Sequence, residues 1–182
     1  MKKLVHTFIF VSAAFLMFLS CAEEQNFDQF DDLTVEPTVA SSIFYFESDE
    51  ATINAAGTGA FYTQNFTFEA FNEAFIAENV LEGNITYEVE NTTTKELQIT
   101  VDFLDADDNV LDSESLVIEA APTAILERQI TYGDGGRSLD ILRNTTNIRV
   151  SGENLGDTTS TSLLTEPKII LRSSAEFRLK LR

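Results

Sequence analysis

The chain has 182 residues, 30 of them acidic and 12 basic, for a net charge of −18 at pH 7. A charge of that sign repels phosphate and anionic headgroups, which weighs against nucleic acid or an anionic lipid surface as partner. With one cysteine no internal disulfide forms, tryptophan is absent, and Ser-His-Asp or Cys-His catalysis would rest wholly on the single His6 and Cys21.

Lys2 and Lys3 open the chain, and the fifteen residues from Val5 to Leu19 are almost wholly apolar. At 1.5 Å per residue such a run rises about 22 Å, short of the roughly 20 residues a bilayer span needs. Charge, apolar run and small residue in that order read as a secretory signal peptide. Phe18-Leu19-Ser20-Cys21 resembles the lipobox of bacterial lipoproteins, with Phe18 in place of the more usual Leu. The resemblance implies that residues 1–20 are removed, that Cys21 becomes the first residue, and that it carries a covalent lipid anchoring the chain to the outer membrane. His6 leaves with the signal, and with it any histidine-bearing zinc site. Behind Cys21 come Glu23, Glu24, Asp28, Asp31 and Asp32. Acidic residues in this place are similar to the surface-export signal of Bacteroidota lipoproteins, which implies the cell surface; the periplasmic face is the alternative.

Residues 21–40 are polar and acidic with Pro37 as a stiffener, a flexible tether. Residues 41–182 are long enough for one domain with its own core. Charge is unevenly spread in the mature chain: 24 acidic residues face a single base, Lys95, from Cys21 to Glu127, and nine bases face six acids thereafter. The basic tail (Lys168, Arg172, Arg178, Lys180, Arg182) pairs either with the domain's own acidic strands, the plainer expectation, or with an acidic partner.

Ser41 to Ser48 is rich in β-favouring aromatics and reads as a first strand. Asp49 to Gln64, with Asn54, Gly57 and Gly59, reads as loop. Asn65 to Leu81 carries two periods, Phe66 and Phe68 alternating and Phe68, Phe71 and Phe75 at helical spacing, so a strand passing into a short helix is expected. In Asn84 to Asn91, Ile85, Tyr87 and Val89 alternate with Thr86, Glu88 and Glu90, a strand with one wet side. Leu97 to Phe103, Val110 to Glu119, Ala124 to Tyr132 and Asn147 to Leu155 follow as strands. Ser138 caps a short helix through Leu142. A last strand lies at Lys168 to Leu171 or Glu176 to Leu181, with a break at Ser173-Ser174.

Short strands at regular spacing predict an all-β fold, an antiparallel β-sandwich with one or two short helical segments. From Asn84 to Leu181 the order resembles an immunoglobulin or fibronectin-III domain, which implies architecture and no function.

Among candidate sites, Asp105, Asp107, Asp108, Asn109 and Asp112 begin like a calcium loop, and clustered carboxylates of this kind bind Ca²⁺ weakly. Val110 stands where the loop needs Gly and Leu116 where it needs Glu, so a hairpin turn is the competing reading. Gly133 to Ser138 lacks phosphate-loop spacing and reads as a hairpin-to-helix loop. Asn65, Asn84, Asn91 and Asn144 lie in sequons that strand ends and turns explain. Asp157-Thr158-Thr159 resembles the O-glycosylation acceptor of Bacteroidota, which implies a glycan on Thr158. The phenylalanines from Phe61 to Phe75 are either core or a contact surface. These readings converge on a non-enzymatic, lipid-anchored outer-membrane protein that acts as an interaction or accessory subunit beside an outer-membrane protein. The alternative is a module binding surface polysaccharide or Ca²⁺.

Overall fold

The computed structural model describes residues 34–68, 74–121 and 125–181. Eight strands form two four-stranded antiparallel sheets, one ordered β1-β8-β3-β6 and the other β2-β7-β4-β5. The strands are β1 (Thr38–Asp49), β2 (Gly59–Thr67), β3 (Val80–Asn91), β4 (Leu97–Leu104), β5 (Val110–Ile118), β6 (Leu126–Gly133), β7 (Asn147–Asn154) and β8 (Lys168–Leu179). Among the described residues three short helices join them, α1 (Glu50–Ala56), α2 (Ala74–Asn79) and α3 (Leu139–Asn144).

The pairing has a simple rule. β1 pairs with β8, β2 with β7, β3 with β6 and β4 with β5. The chain is therefore one long antiparallel ribbon whose tip is the β4–β5 hairpin. Rolling that ribbon adds the β3–β8 and β4–β7 ladders and places consecutive strands β1 and β2 in opposite sheets. This is the double-Greek-key jelly roll. The expected all-β sandwich is what forms. The immunoglobulin likeness holds for its two packed antiparallel sheets, whereas the immunoglobulin order keeps its first two strands in one sheet.

Alternation builds the core. Ile85, Tyr87 and Val89 of β3, and Leu97, Ile99, Val101 and Phe103 of β4, are all fully buried between the sheets. Thr86, Glu88 and Glu90 face outward. Where β1 and β2 form adjacent edges, aromatics close the sandwich: Phe44 stacks on Phe66 at 5.2 Å and Phe46 meets Tyr62 at 3.9 Å.

Several elements differ from the expectations. β1 starts at Thr38, inside the segment read as tether, because Pro37 and Val35 carbonyls accept from Leu179 and Leu181 N–H. The stretch read as loop from Asp49 to Gln64 holds all of α1 and the start of β2. Asp49 caps α1 by accepting from Thr52 N–H at 2.6 Å, and Gly57 ends it with a φ of 86° that suits glycine. Strand-then-helix holds for 65–81 in that β2 ends at Thr67 and α2 follows, though Phe71 lies outside the described residues. Ser138 caps α3 through Asp140 N–H as expected. β8 runs unbroken through Ser173-Ser174, because β1 and β3 supply ladder partners on both sides.

The register defines two ends. Thr38 lies opposite Arg178, and Arg178 opposite Glu82 next to Gly133; this is the proximal end, where the chain joins the sandwich. Asp49 lies opposite Lys168, and Asn91 opposite Ile169, at the distal end. A 12-residue strand separates them by about 36 Å at 3.3 Å per residue.

Candidate distal-end cleft

At the distal end a cleft of 970 Å³ opens between the end of β1 with α1, the start of β2, and the long β7–β8 loop (residues 155–167). One wall carries the rings of Phe61 and Tyr62, both half-buried against Phe46. The others carry carboxylates (Glu47, Asp49, Glu50, Glu166), the hydroxyls of Thr161 and Ser162, the Asn54 amide and the Lys168 ammonium.

A buried polar network holds these walls in place. Lys95, in the β3–β4 turn, is fully buried, and its Nζ donates to Asp157 Oδ1 at 2.8 Å, Ser160 Oγ at 2.6 Å and Ser160 O at 2.8 Å. Asp157 in turn accepts from the N–H groups of Thr159 and Ser160 at 2.7 Å. Glu50, only 3% exposed at the start of α1, accepts from Thr94 N–H and Oγ1–H and from Ser162 N–H. Asn91 stitches the same region from within, its Nδ2 donating to the carbonyls of Lys95 and Glu119. A turn, a helix start and a 13-residue loop are thereby tied into one rigid end.

These contacts set the charge states. Lys95 beside Asp157, with the Ser160 and Thr159 N–H groups, holds the Asp157 carboxyl well below its usual range. Burial alone pushes Glu50 up, but hydrogen bonds from Thr94 and Ser162 and the Lys95 charge bring it below normal. Glu47 is lowered by the Tyr45 hydroxyl, 2.5 Å away, and by Lys168. Asp49 is lowered by the Thr52 N–H. The carboxylates with resolved shifts here thus all favour the ionised form.

The residues singled out from sequence fall in different places. Asp105 and Asn109 share a proximal-end turn: Asp105 Oδ1 accepts from the N–H groups of Asp107 and Asn109 at 2.9 Å, and Asp108 takes a φ of 63°. Asp112 points elsewhere, between the sheets, where its Oδ2 accepts from Arg137 Nη1 at 2.7 Å and from the Tyr132 hydroxyl at 3.0 Å. Among the described residues no group of three His, Cys, Asp or Glu is placed to hold a metal ion. Thr158 lies half-exposed in the β7–β8 loop, next to the Asp157 that anchors it. Cys21 lies outside the described residues. The basic tail pairs as expected for most of its length: Lys168 with Glu47, Arg172 with Glu88, Arg178 with Glu36 and Glu82. Of the phenylalanines, Phe68 is core, Phe61 and Phe66 pack on the core half-buried, and Phe75 is exposed. Arg137, beyond the glycine loop, joins Asp112 and Glu114.

Sequence reading did not single out Glu50 or Tyr62, and took Asn54 only as a loop signal. Lys95 carried a signal, as the lone base among 24 acids. Among the described residues no helix is long and apolar enough to cross a membrane.

No family model matches the chain, and no curated protein matches it either. Solved structures with a similar arrangement include a chain of the Kashmir bee virus empty particle at acidic pH, 8% identical over 79% of this chain and 93% of that one, with a TM-score of 0.43. A chain of infectious bursal disease virus, Gx strain, is 12% identical over 82% of this chain, with a TM-score of 0.39. This protein spans about a third of that chain's length, 33%. A chain of Bacillus endospore appendages is 8% identical over 81% of this chain and 91% of that one, with a TM-score of 0.35. At these TM-scores the likenesses carry no argument about function.

Proposed function

We propose that the chain is a non-enzymatic lipoprotein of the outer membrane, anchored through Cys21 and exposed at the cell surface, whose sandwich acts as an interaction subunit for a membrane-protein partner. The observation that carries this reading is the polarity of the domain. The chain joins the sandwich at the proximal end, while the cleft and the fully exposed Leu163 with its neighbour Leu164 lie at the other, about 36 Å away. An anchor that precedes the proximal end leaves the cleft and the leucine tip at the end of the sandwich remote from the point where the chain enters. The Glu47, Asp49 and Glu50 carboxyls, each held toward the ionised form, support a role in binding.

Two strains of the native host test it. In one, Cys21→Ala releases the protein from the membrane fraction. In the other, a photo-crosslinking residue replaces Leu163, or Asp108 at the opposite end as control. Crosslinks to an outer-membrane protein from position 163 and none from position 108 are expected. Membrane retention of the Cys21→Ala protein, or equal labelling from both positions, would sink the proposal.

A further inference from the structure

We infer that the distal cleft receives a cationic side chain, a guanidinium above all, presented by a basic segment of the partner; this rests on the interaction reading above. The cleft is rich in acceptors and poor in donors. Glu47, Asp49 and Glu166 contribute three carboxylates at its rim, and the one ammonium there, Lys168, is already given to Glu47 at 3.1 Å. The deeper Glu50 has its oxygens occupied by Thr94 and Ser162. Glu166 lies exposed at the lip, its charge felt by Lys168 but with no hydrogen bond or salt bridge to it. Asn54, on the wall, donates its Nδ2 to Ser160 O at 3.2 Å, with its Oδ1 buried.

The aromatic wall fits the same ligand. Tyr62 rests one face on Phe46 and is otherwise half-open to the cleft, with its hydroxyl turned to Gln64 at 2.7 Å. A ring face beside carboxylates attracts a planar, weakly hydrated cation, which stacks while its five donors reach the acceptors. A neutral saccharide would meet the same ring but leave the rim's surplus negative charge uncompensated. The chain's net charge of −18 adds a long-range pull on a basic segment and repels an acidic one.

The test titrates a fluorescent, end-blocked Gly-Arg-Gly-Arg-Gly peptide onto the lipidated full-length mature chain in phosphatidylcholine nanodiscs, followed by anisotropy. Saturable binding is expected. Glu166→Gln and Tyr62→Leu each weaken it about threefold to fivefold, while Asp105→Asn at the proximal end leaves it unchanged. The Glu166 variant changes an exposed side chain and keeps the fold; a melting curve checks the Tyr62 variant. Equal weakening by Asp105→Asn would reduce the effect to diffuse charge and overturn the site. So would displacement of the peptide by maltohexaose, which points to a saccharide. A partner crosslinked from position 163 with no peptide binding leaves the interaction reading standing and overturns this one. Peptide binding without any crosslinked partner supports the cleft chemistry and removes the partner.

Discussion

Lys95 Nζ lies 2.8 Å from Asp157 Oδ1, the ammonium wholly buried and the carboxylate half-exposed. The pair joins the β3–β4 turn to a loop that follows it by more than sixty residues, a separation of 62. A buried ammonium without its counter-ion is costly, so the loop is held where the charge needs it. The shape of the distal cleft follows from that bond.

Asp157 should make the domain acid-sensitive. Its folded-state pKa is lowered, so the stability it contributes is complete above the unfolded carboxylate value of about 3.9 and is lost as pH falls through the folded value. Glu47, Asp49, Glu50 and Asp105 shift the same way. Protonating the many unpaired acids relieves self-repulsion and works in the opposite direction. The reading is therefore the difference between proteins. Urea midpoints of wild type and Asp157→Asn are expected to converge as pH drops below about 4. Parallel curves down to pH 2 would remove Asp157 from the explanation.

Glu50→Ala should destabilise the domain by about 2–4 kcal/mol, because Thr94 N–H and Ser162 N–H lose a charged acceptor. Glu50→Gln keeps one acceptor and should cost less. Urea denaturation of the three proteins measures this; an unchanged midpoint for the alanine variant would mean that water serves both N–H groups.

How much of this was legible beforehand follows from local pattern. β3 and β4 alternate cleanly and β5 follows a polar turn, so all three were legible, although β3 starts at Val80 rather than Asn84. β2 did not, because its start at Gly59 follows a glycine-flanked helix of only seven residues. The jelly-roll order was hidden for a different reason: it depends on β8 returning between β1 and β3, and alternation within one strand carries no record of its neighbours. The residues from Asp105 to Asp112 are not all brought together, because pleating turns Asp112 inward toward Arg137. Glu50 and Lys95 lie far apart in sequence, and only the closed fold makes them neighbours.

Asp105 illustrates a turn that is complete without metal. Its Oδ1 is filled by two backbone N–H groups and both oxygens by Asn109 Nδ2. Calcium at about 1 mM, the range of weak extracellular sites, is expected to leave the melting temperature unchanged. A rise that Asp105→Asn abolishes would restore the calcium reading.

Arg137 closes the opposite side of the sandwich. It bridges Asp112 at 2.7 Å and Glu114 at 2.6 Å on β5, and Glu114 also accepts from Arg128. Inward-pointing charges on an edge strand discourage pairing with another chain. Arg137→Met should cost about 2–4 kcal/mol by leaving Glu114 buried with less compensation. Adding Glu114→Gln should recover part of that loss. Additive losses in the double-mutant cycle would mean the two groups do not interact.

Gly152 connects packing to the cleft. It sits on β7 opposite Tyr62, and a Cβ there would come within 2.6 Å of the Phe61 ring. That ring is boxed in by Phe46 on the other strand, 6.3 Å between centroids, so it must move outward into the cleft. Gly152→Ala is therefore expected to cost about 1–3 kcal/mol through overpacking. It should also shift the amide resonances of Phe61 and Tyr62 more than those of Asp105, at the far end of the sandwich. Adding Phe61→Leu shortens the obstructing side chain and should return part of the stability, a coupling that a purely backbone effect at residue 152 would not show. If Gly152→Ala melts with wild type, the Phe61 ring has room to yield, and the cleft's aromatic wall is softer than its packing implies.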